Sequence, residues 1–204
     1  MSAHLPGFAL RYRRQTARHE LQAAVPKGAV THLHVPDEDA KAHLVTAVLK
    51  GRCEPGEELE LFGESAAELA RPRRKQLLAR VGAVSPIVGL ITNLNAWENI
   101  ALPAAYHGSP PLAQVATLAH EVLAAFGADA RQFLARIPDE LGTLERKMAA
   151  FVRSLVAAPE LMVFDALEDG LSYAECRHVA RFESEYRARQ PQGTVLYVDT
   201  REES

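Results

Sequence analysis

The residues able to do chemistry fall in a few places. Asp37, Glu38 and Asp39 stand side by side just ahead of a helical pattern that contains Lys41. Asp165 closes an apolar run, with Glu168 and Asp169 just beyond it. His32 and His34 lie two residues apart in another apolar run. A helix N-terminus presents unpaired N–H groups and a partial positive charge. A carboxylate there can accept from those amides, so Asp37 or Asp39 is a candidate N-cap contributing about 1 kcal/mol. The competing reading of the same three acids is a solvated loop. Asp165, at the end of a strand-like run, reads as a carboxylate that caps a loop. Residues two apart on a strand point to one side, which would suit a metal at His32 and His34. No third ligand stands nearby in the chain, so they read as packed or exposed histidines. Cys53 and Cys176 are far apart without ligand-like spacing and read as reduced thiols of a cytosolic protein. The run Arg71-Pro72-Arg73-Arg74-Lys75 reads as a solvated face.

These groups need elements to hold them. Residues 29–35 (AVTHLHV) predict a buried strand. Ala40, Leu44, Ala47 and Val48 recur at helical spacing, and Gly51 stops that helix. Glu54-Pro55-Gly56-Glu57 is a turn, 58–62 (ELELF) alternates as a half-buried strand, and 80–84 (RVGAV) suggests another. Pro86 and Gly89 then break regularity, and a polar loop runs to Asn95. Two apolar helical faces follow, Leu112 to Phe126 ended by Gly127, and Leu144 to Val156 ended by Pro159. Residues 161–165 are an apolar run, 174–189 an exposed charged helix, and 194–198 (TVLYV) the last strand. Strands at both ends with helices between them predict an α/β sheet carrying a helical insertion.

Composition narrows the classes. At 204 residues the chain suits one domain, or a core with a small inserted subdomain. A hydrophobic content of 48 % argues against wholesale disorder. The net charge of −3 gives no global attraction to nucleic acid or to an anionic membrane surface. No stretch reaches the roughly 18 apolar residues that span a bilayer, and the first residues lack the apolar run of a signal peptide. The expectation is a soluble, cytoplasmic protein whose membrane role, if any, runs through a partner.

The order of these elements resembles that of ABC-transporter ATP-binding subunits over nearly the whole chain. The carriers are Pro26-Lys27-Gly28 before the first strand, Val35 to His43 at the P-loop, and 81–103 (VGAVSPIVGLITNLNAWENIALP) at the Q-loop with the family's Glu-Asn dipeptide at Glu98-Asn99. Residues 140–172 match signature helix, Walker B and D-loop in spacing, and Ala158 to Asp165 (APELMVFD) is the most specific piece. The resemblance implies a P-loop NTPase-like (RecA-like) sheet core, residues 1–84 and 157–204, with an ABC-type helical subdomain at 85–156. It also implies site residues: Tyr12 as an adenine-stacking aromatic, Lys41 as the phosphate lysine and Asp165 as the Walker B aspartate, each as a vestige. A core or surface tyrosine is the competing reading of Tyr12.

The chain departs from the family at each chemical position. The P-loop pattern G-x-x-x-x-G-K-[ST] needs glycines so that successive N–H groups turn inward on phosphate. Here Val35 and Ala40 fill the glycine positions and Ala42 the hydroxyl position, while three acids sit where the anion would go. A carboxylate about 4 Å from a phosphate charge opposes it by about 4 kcal/mol at an effective dielectric of 20. The catalytic glutamate position is Ala166, which accepts no proton; Glu168 and Asp169 are the only nearby stand-ins. The signature is Leu141-Gly142-Thr143-Leu144-Glu145, the Q-loop glutamine is Pro86, the D-loop aspartate is Ser172, and Asp199 and Thr200 occupy the switch region without a histidine.

The resemblance with these losses implies a non-catalytic scaffold or regulator, partnered by an ABC permease or another ATP-binding subunit, as homodimer or heterodimer. No nucleic acid, cofactor or metal is expected. The wording of 89–108 is similar to ATPases of bacterial lipid-trafficking systems of the mammalian-cell-entry type. The alternatives are a weakly active ATPase using Lys41, Asp165 and Glu168 with ATP and magnesium, or a stand-alone module binding another ligand in the old cleft. Trp97 is open between an interface anchor and a core residue. Family members often continue past the last strand, so either a partner covers apolar surface there or the domain is minimal.

Overall fold

The computed structural model describes residues 7–16 and 20–200. Residues 1–6 of the leader expectation and 201–203 of the switch region lie outside them. The chain opens with an antiparallel hairpin, β1 (Phe8–Gln15) and β2 (Glu20–Pro26). A second sheet starts with β3 (Val30–Val35), which feeds α1 (Glu38–Lys50). Then come β4 (Glu57–Leu61), β5 (Glu64–Ser65), α2 (Arg71–Leu78) and β6 (Val81–Val84). Four helices follow: α3 (Ala96–His107), α4 (Leu112–Ala125), α5 (Ala130–Ala135) and α6 (Thr143–Leu155). β7 (Leu161–Asp165), the short α7 (Tyr173–Cys176), α8 (Val179–Arg189) and β8 (Thr194–Thr200) complete the chain. One sheet is antiparallel in the order β2-β1-β4-β5, and the other is parallel in the order β3-β8-β7-β6.

The central strands β7 and β8 are buried on both faces, which explains their unbroken apolar runs, whereas β3, expected to be buried, lies at the sheet edge and leaves His32 and His34 exposed. Alternation splits the side chains of β7 and β8 between two cores. Leu161, Val163, Leu196 and Val198 face α1 and the antiparallel sheet. Met162, Phe164, Val195 and Tyr197 face α6, α8 and the helices inserted after β6. The second core is aromatic at its centre, where Phe182 packs edge-on against Phe126 at 4.7 Å and Phe151 at 5.1 Å between ring centroids.

Several elements lie beyond the sequence expectations. The β1–β2 hairpin buries Leu10, Tyr12, Leu21, Ala23 and Val25 and exposes the intervening Arg11, Gln22 and Ala24. The basic run 71–75 is the start of α2, with Pro72 in its first turn, where a missing N–H costs nothing. α3 and α5 fill the stretch after the polar loop. The helix expected over 174–189 is broken at 177–178, and α8 is not simply exposed, since Phe182 and Tyr186 are fully buried.

Candidate functional site

The site lies at the C-terminal edge of the parallel sheet, where β3 turns into α1. Only Pro36 and Asp37 separate strand from helix, because Glu38 and Asp39 are already helical. A phosphate cradle needs a loop here, with amides turned inward. Instead the loop is wound into the helix, and its first-turn amides point along the axis. Asp37 is extended (φ −158°) and its Oδ1 accepts from the Ala40 N–H at 2.7 Å. Of the two cap candidates, Asp37 is therefore the cap, and Asp39 is not.

Each acid of the triplet has an internal partner. The Glu38 carboxylate pairs with the Lys41 ammonium at 2.9 Å and accepts from the Thr200 hydroxyl at 3.3 Å. Asp39 pairs with Arg14 of β1 at 3.0 Å. Thr200 stands at the end of β8, so Glu38 ties the helix start to the strand where the family's switch residue lies.

Lys41 is 8 % exposed and its Nζ reaches Asp165 Oδ1 at 3.9 Å. Burial opposes its charge, but Glu38, Asp165 and Asp169 outweigh burial and hold the ammonium above the usual lysine range. Asp165 is 4 % exposed, and the Ser85 hydroxyl donates to its Oδ2 at 2.6 Å. Its Oδ1 has no hydrogen-bond partner among the described residues. Burial pushes the Asp165 carboxyl up, and Ser85 with Lys41 offsets this only in part. The long ion pair explains why: Lys41 is spent mainly on Glu38. Lys41 and Asp165, 124 positions apart by subtraction of their numbers, are thus brought together.

Tyr12 is not brought with them. It is 2 % exposed, and its hydroxyl donates to the buried Glu57 carboxylate at 2.8 Å. His43 Nδ1 meets the same Glu57 oxygen at 2.8 Å, so the ring is locked between β1, β4 and α1. Burial and the Glu57 carboxylate push its phenol far above the usual range. The adenine-stacking role is corrected to that of a core residue, because no ring face is open to a base.

Beyond β7 the chain turns sharply. Ala166 is left-handed (φ 52°), and its carbonyl accepts from Lys147 Nζ at 2.8 Å. Lys147 lies on α6 and had no signal in the sequence beyond its helix. Burial lowers its ammonium below the usual range, against the pull of Asp169 and Asp165. Glu168 and Asp169 are exposed on this turn. At the signature, Glu145 accepts from the Gly142 N–H at 2.9 Å and makes a two-pronged pair with Arg136. Burial alone would raise Glu145, yet Arg136 and that amide hold its carboxyl below the usual range. Ser172 caps α7 through Glu175.

The Q-loop is ordered by residues other than its missing glutamine. Pro86 is exposed at the head of a short turn. Arg153 of α6 donates to the carbonyls of Val88 and Gly89. Asn99 is wholly buried: its Oδ1 accepts from the Ile91 N–H at 2.7 Å, and its Nδ2 donates to Ile91, Leu94 and Asn95 carbonyls, each at 3.0 Å. Glu98 closes a reciprocal cap with Asn95. The Glu-Asn dipeptide is thus the clamp of this loop. Trp97 is half-buried against the aromatic core. His32 is exposed on β3 and stacks on Tyr197 at 4.5 Å.

The groups that would meet a magnesium triphosphate are engaged within the chain or replaced: the Ala40 amide is taken by Asp37, the lysine by Glu38, and the hydroxyl position is Ala42.

A parallel sheet in this order, with a helix opened directly by the first strand and a helical insertion after β6, defines an ABC-type P-loop NTPase fold. No family model matches the chain. Its sequence is 26 % identical over 146 residues to the intermembrane phospholipid transport system ATP-binding protein MlaF of Escherichia coli K12, covering 71 % of this chain and 53 % of MlaF. MlaF of Escherichia coli O157:H7 matches to the same extent. The chain spans about half the length of the curated relatives it matches. Among solved structures, cbiO1 from Clostridium perfringens, part of the ABC transporter complex cbiONQ, has a TM-score of 0.72 at 13 % identity, covering 96 % of this chain and 79 % of that one. The dimeric bacterial ABC transporter cassette MJ0796 has a TM-score of 0.74 at 15 % identity, covering 94 % and 88 %. The chain thus has the fold of ABC ATP-binding cassettes, and its sequence is similar to that of an ABC ATP-binding protein.

Proposed function

We propose that this chain is a non-catalytic ABC subunit, a scaffold or regulator bound to a permease or to another ATP-binding subunit. Similarity to MlaF supports a role in phospholipid trafficking, with the chain held at the membrane through its partner. Among the described residues no helix is long and apolar enough to cross a membrane, in keeping with attachment through a permease. One observation carries the proposal: the helix start that should hold phosphate is satisfied by the chain's own carboxylates. Asp37 takes the amide and Glu38 takes the lysine. In this reading the fold has become independent of nucleotide, and no cofactor is needed.

The test is titration calorimetry of the purified chain with magnesium-ATP, paired with a turnover assay. The expected outcome is no turnover and no saturable heat. Sub-millimolar affinity would sink the proposal. A second reading, residual nucleotide binding with displaced groups, draws on the unpartnered Asp165 Oδ1 beside Lys41. It requires ATP turnover that Lys41→Ala abolishes.

A further inference from the structure

β3 is the outermost strand of the parallel sheet and is bonded there to β8 alone. At its start the Val195 N–H donates to the Ala29 carbonyl. Alternate residues of a strand turn their backbone groups to opposite edges, so Thr31, Leu33 and Val35 face β8. The N–H and C=O groups of Val30, His32 and His34 face outward, where nothing among the described residues pairs with them. Native edges are blunted by proline, lysine or a bulge, because a bare one is a template for another strand. β3 (VTHLHV) has no proline and no lysine, and its register with β8 runs unbroken from Val30 to Val35.

Beside this edge lies a cleft of about 1000 Å³. The pairing of His32 with Tyr197 and of His34 with Asp199 sets these four side chains on one face of the sheet, and they line the cleft. α8 walls it through Val179, Ala180 and Glu183, and the turn after β7 closes its end through Glu168 and Asp169. Glu183 is shared by Arg187 at 3.4 Å and by the Tyr197 hydroxyl at 3.1 Å. Glu168, Asp169 and Asp199 form no ion pair among the described residues. Lys41 also borders the cleft, but its ammonium is taken by Glu38 at 2.9 Å. On the opposite face of β3, Leu33 is half-buried against the core under α1.

We infer that the open edge of β3 takes up an extended basic segment of a partner protein, which adds a strand to the parallel sheet beside the acidic cleft. The main chain of that segment bonds the outward groups of Val30, His32 and His34. Its side chains alternate between the two faces of the sheet. Those on the α8 side are lysine or arginine and meet the carboxylates of the cleft; those on the other side are apolar and rest beside Leu33. Carboxylates gathered without partners repel one another, and a cationic occupant relieves that repulsion. A second copy pairing β3 with β3 would bring two acidic clefts edge to edge, which like charge opposes. A small cation alone neutralises the cleft and leaves the backbone edge unpaired. The inference rests on the sheet edge and stands whether or not the nucleotide site binds ATP.

The experiment uses the full chain and a fluorescent peptide of alternating lysine and valine, about eight residues long. One twin carries glutamate for every lysine. A second twin keeps the lysines and is N-methylated at every residue, which removes its backbone donors. The parent peptide is expected to bind at least about tenfold tighter than the glutamate twin and at least about tenfold tighter than the N-methylated one. His32→Pro removes an outward N–H that the ladder with β8 does not use, a change an edge strand tolerates. It should weaken the peptide about fivefold, and Asp169→Lys with Asp199→Lys should weaken it at least about tenfold. An unchanged thermal midpoint certifies the fold of each variant, and the two twins test the inference on the unaltered chain. Equal binding of the parent and its N-methylated twin reduces the site to a cluster of charges and overturns the inference. So does equal binding of the lysine and glutamate peptides, or insensitivity to both variants. Dimerisation of the chain in sedimentation that His32→Pro abolishes would make a second copy the occupant and overturn it as well.

Discussion

Replacing Asp37 with alanine separates a self-capped helix from a solvated acidic loop. In the structure Asp37 Oδ1 sits 2.7 Å from the Ala40 nitrogen, and its charge stands at the positive end of a 13-residue helix. Losing an N-cap carboxylate costs about 0.5–2 kcal/mol, centred near 1. The helix dipole contributes within that figure rather than on top of it, because the same amides are its source. For a chain of this size 1 kcal/mol corresponds to about 2–4 °C in melting temperature. Thermal unfolding by circular dichroism should therefore show Asp37→Ala melting about 3 °C lower, and Asp37→Asn, which keeps an acceptor, falling less. Sulfate should then recover more stability in Asp37→Ala than in the parent, because the variant has a vacant anion position. A melting temperature unchanged by Asp37→Ala would refute the capping argument, and with it the idea that the chain carries its own substitute for phosphate.

Three further outcomes follow from the same geometry. Asp165→Asn should stabilise the protein at neutral pH: the folded carboxyl titrates above its unfolded value, so the native state holds a proton the unfolded chain has lost, and wild-type stability falls as pH rises through that window. The advantage over wild type should disappear below about pH 4, where both states are protonated, and denaturant melts across pH check it. Asn99→Leu removes four hydrogen bonds from the 91–95 loop. It should cost about 3 kcal/mol or more and abolish hydrogen-exchange protection at the Ile91 amide. Ala166→Glu, which restores the family's base position, should yield no ATP turnover, because phosphate cradle and signature are absent together; measurable turnover would show that the remaining groups form a competent site.

The sequence by itself determined the order of the layers. Apolar runs at 29–35, 80–84, 161–165 and 194–198 became the four parallel strands, and the central two are apolar almost throughout because they are covered on both faces. Gly51, as helix stop, and the acids before Lys41, as cap candidates, were legible because capping is local chemistry. The β1–β2 hairpin and α3 were less visible, since their apolar positions are short or interleaved with arginine and proline.

What only the tertiary structure decided is which partner each charged group takes. Glu38 could have opposed an anion, yet Lys41 and Thr200 claim it. Glu145 is consumed by Arg136, Tyr12 by Glu57, and Lys147 by the Ala166 carbonyl. The basic run at 71–75 is the solvated face the sequence suggests, but only packing shows that Gly51 lets α2 close on α1 and brings Arg71, Arg74 and Lys75 beside Lys50 and Arg52. Charge is written in the chain, but its effect depends on separation and burial, and both come only from how distant elements pack.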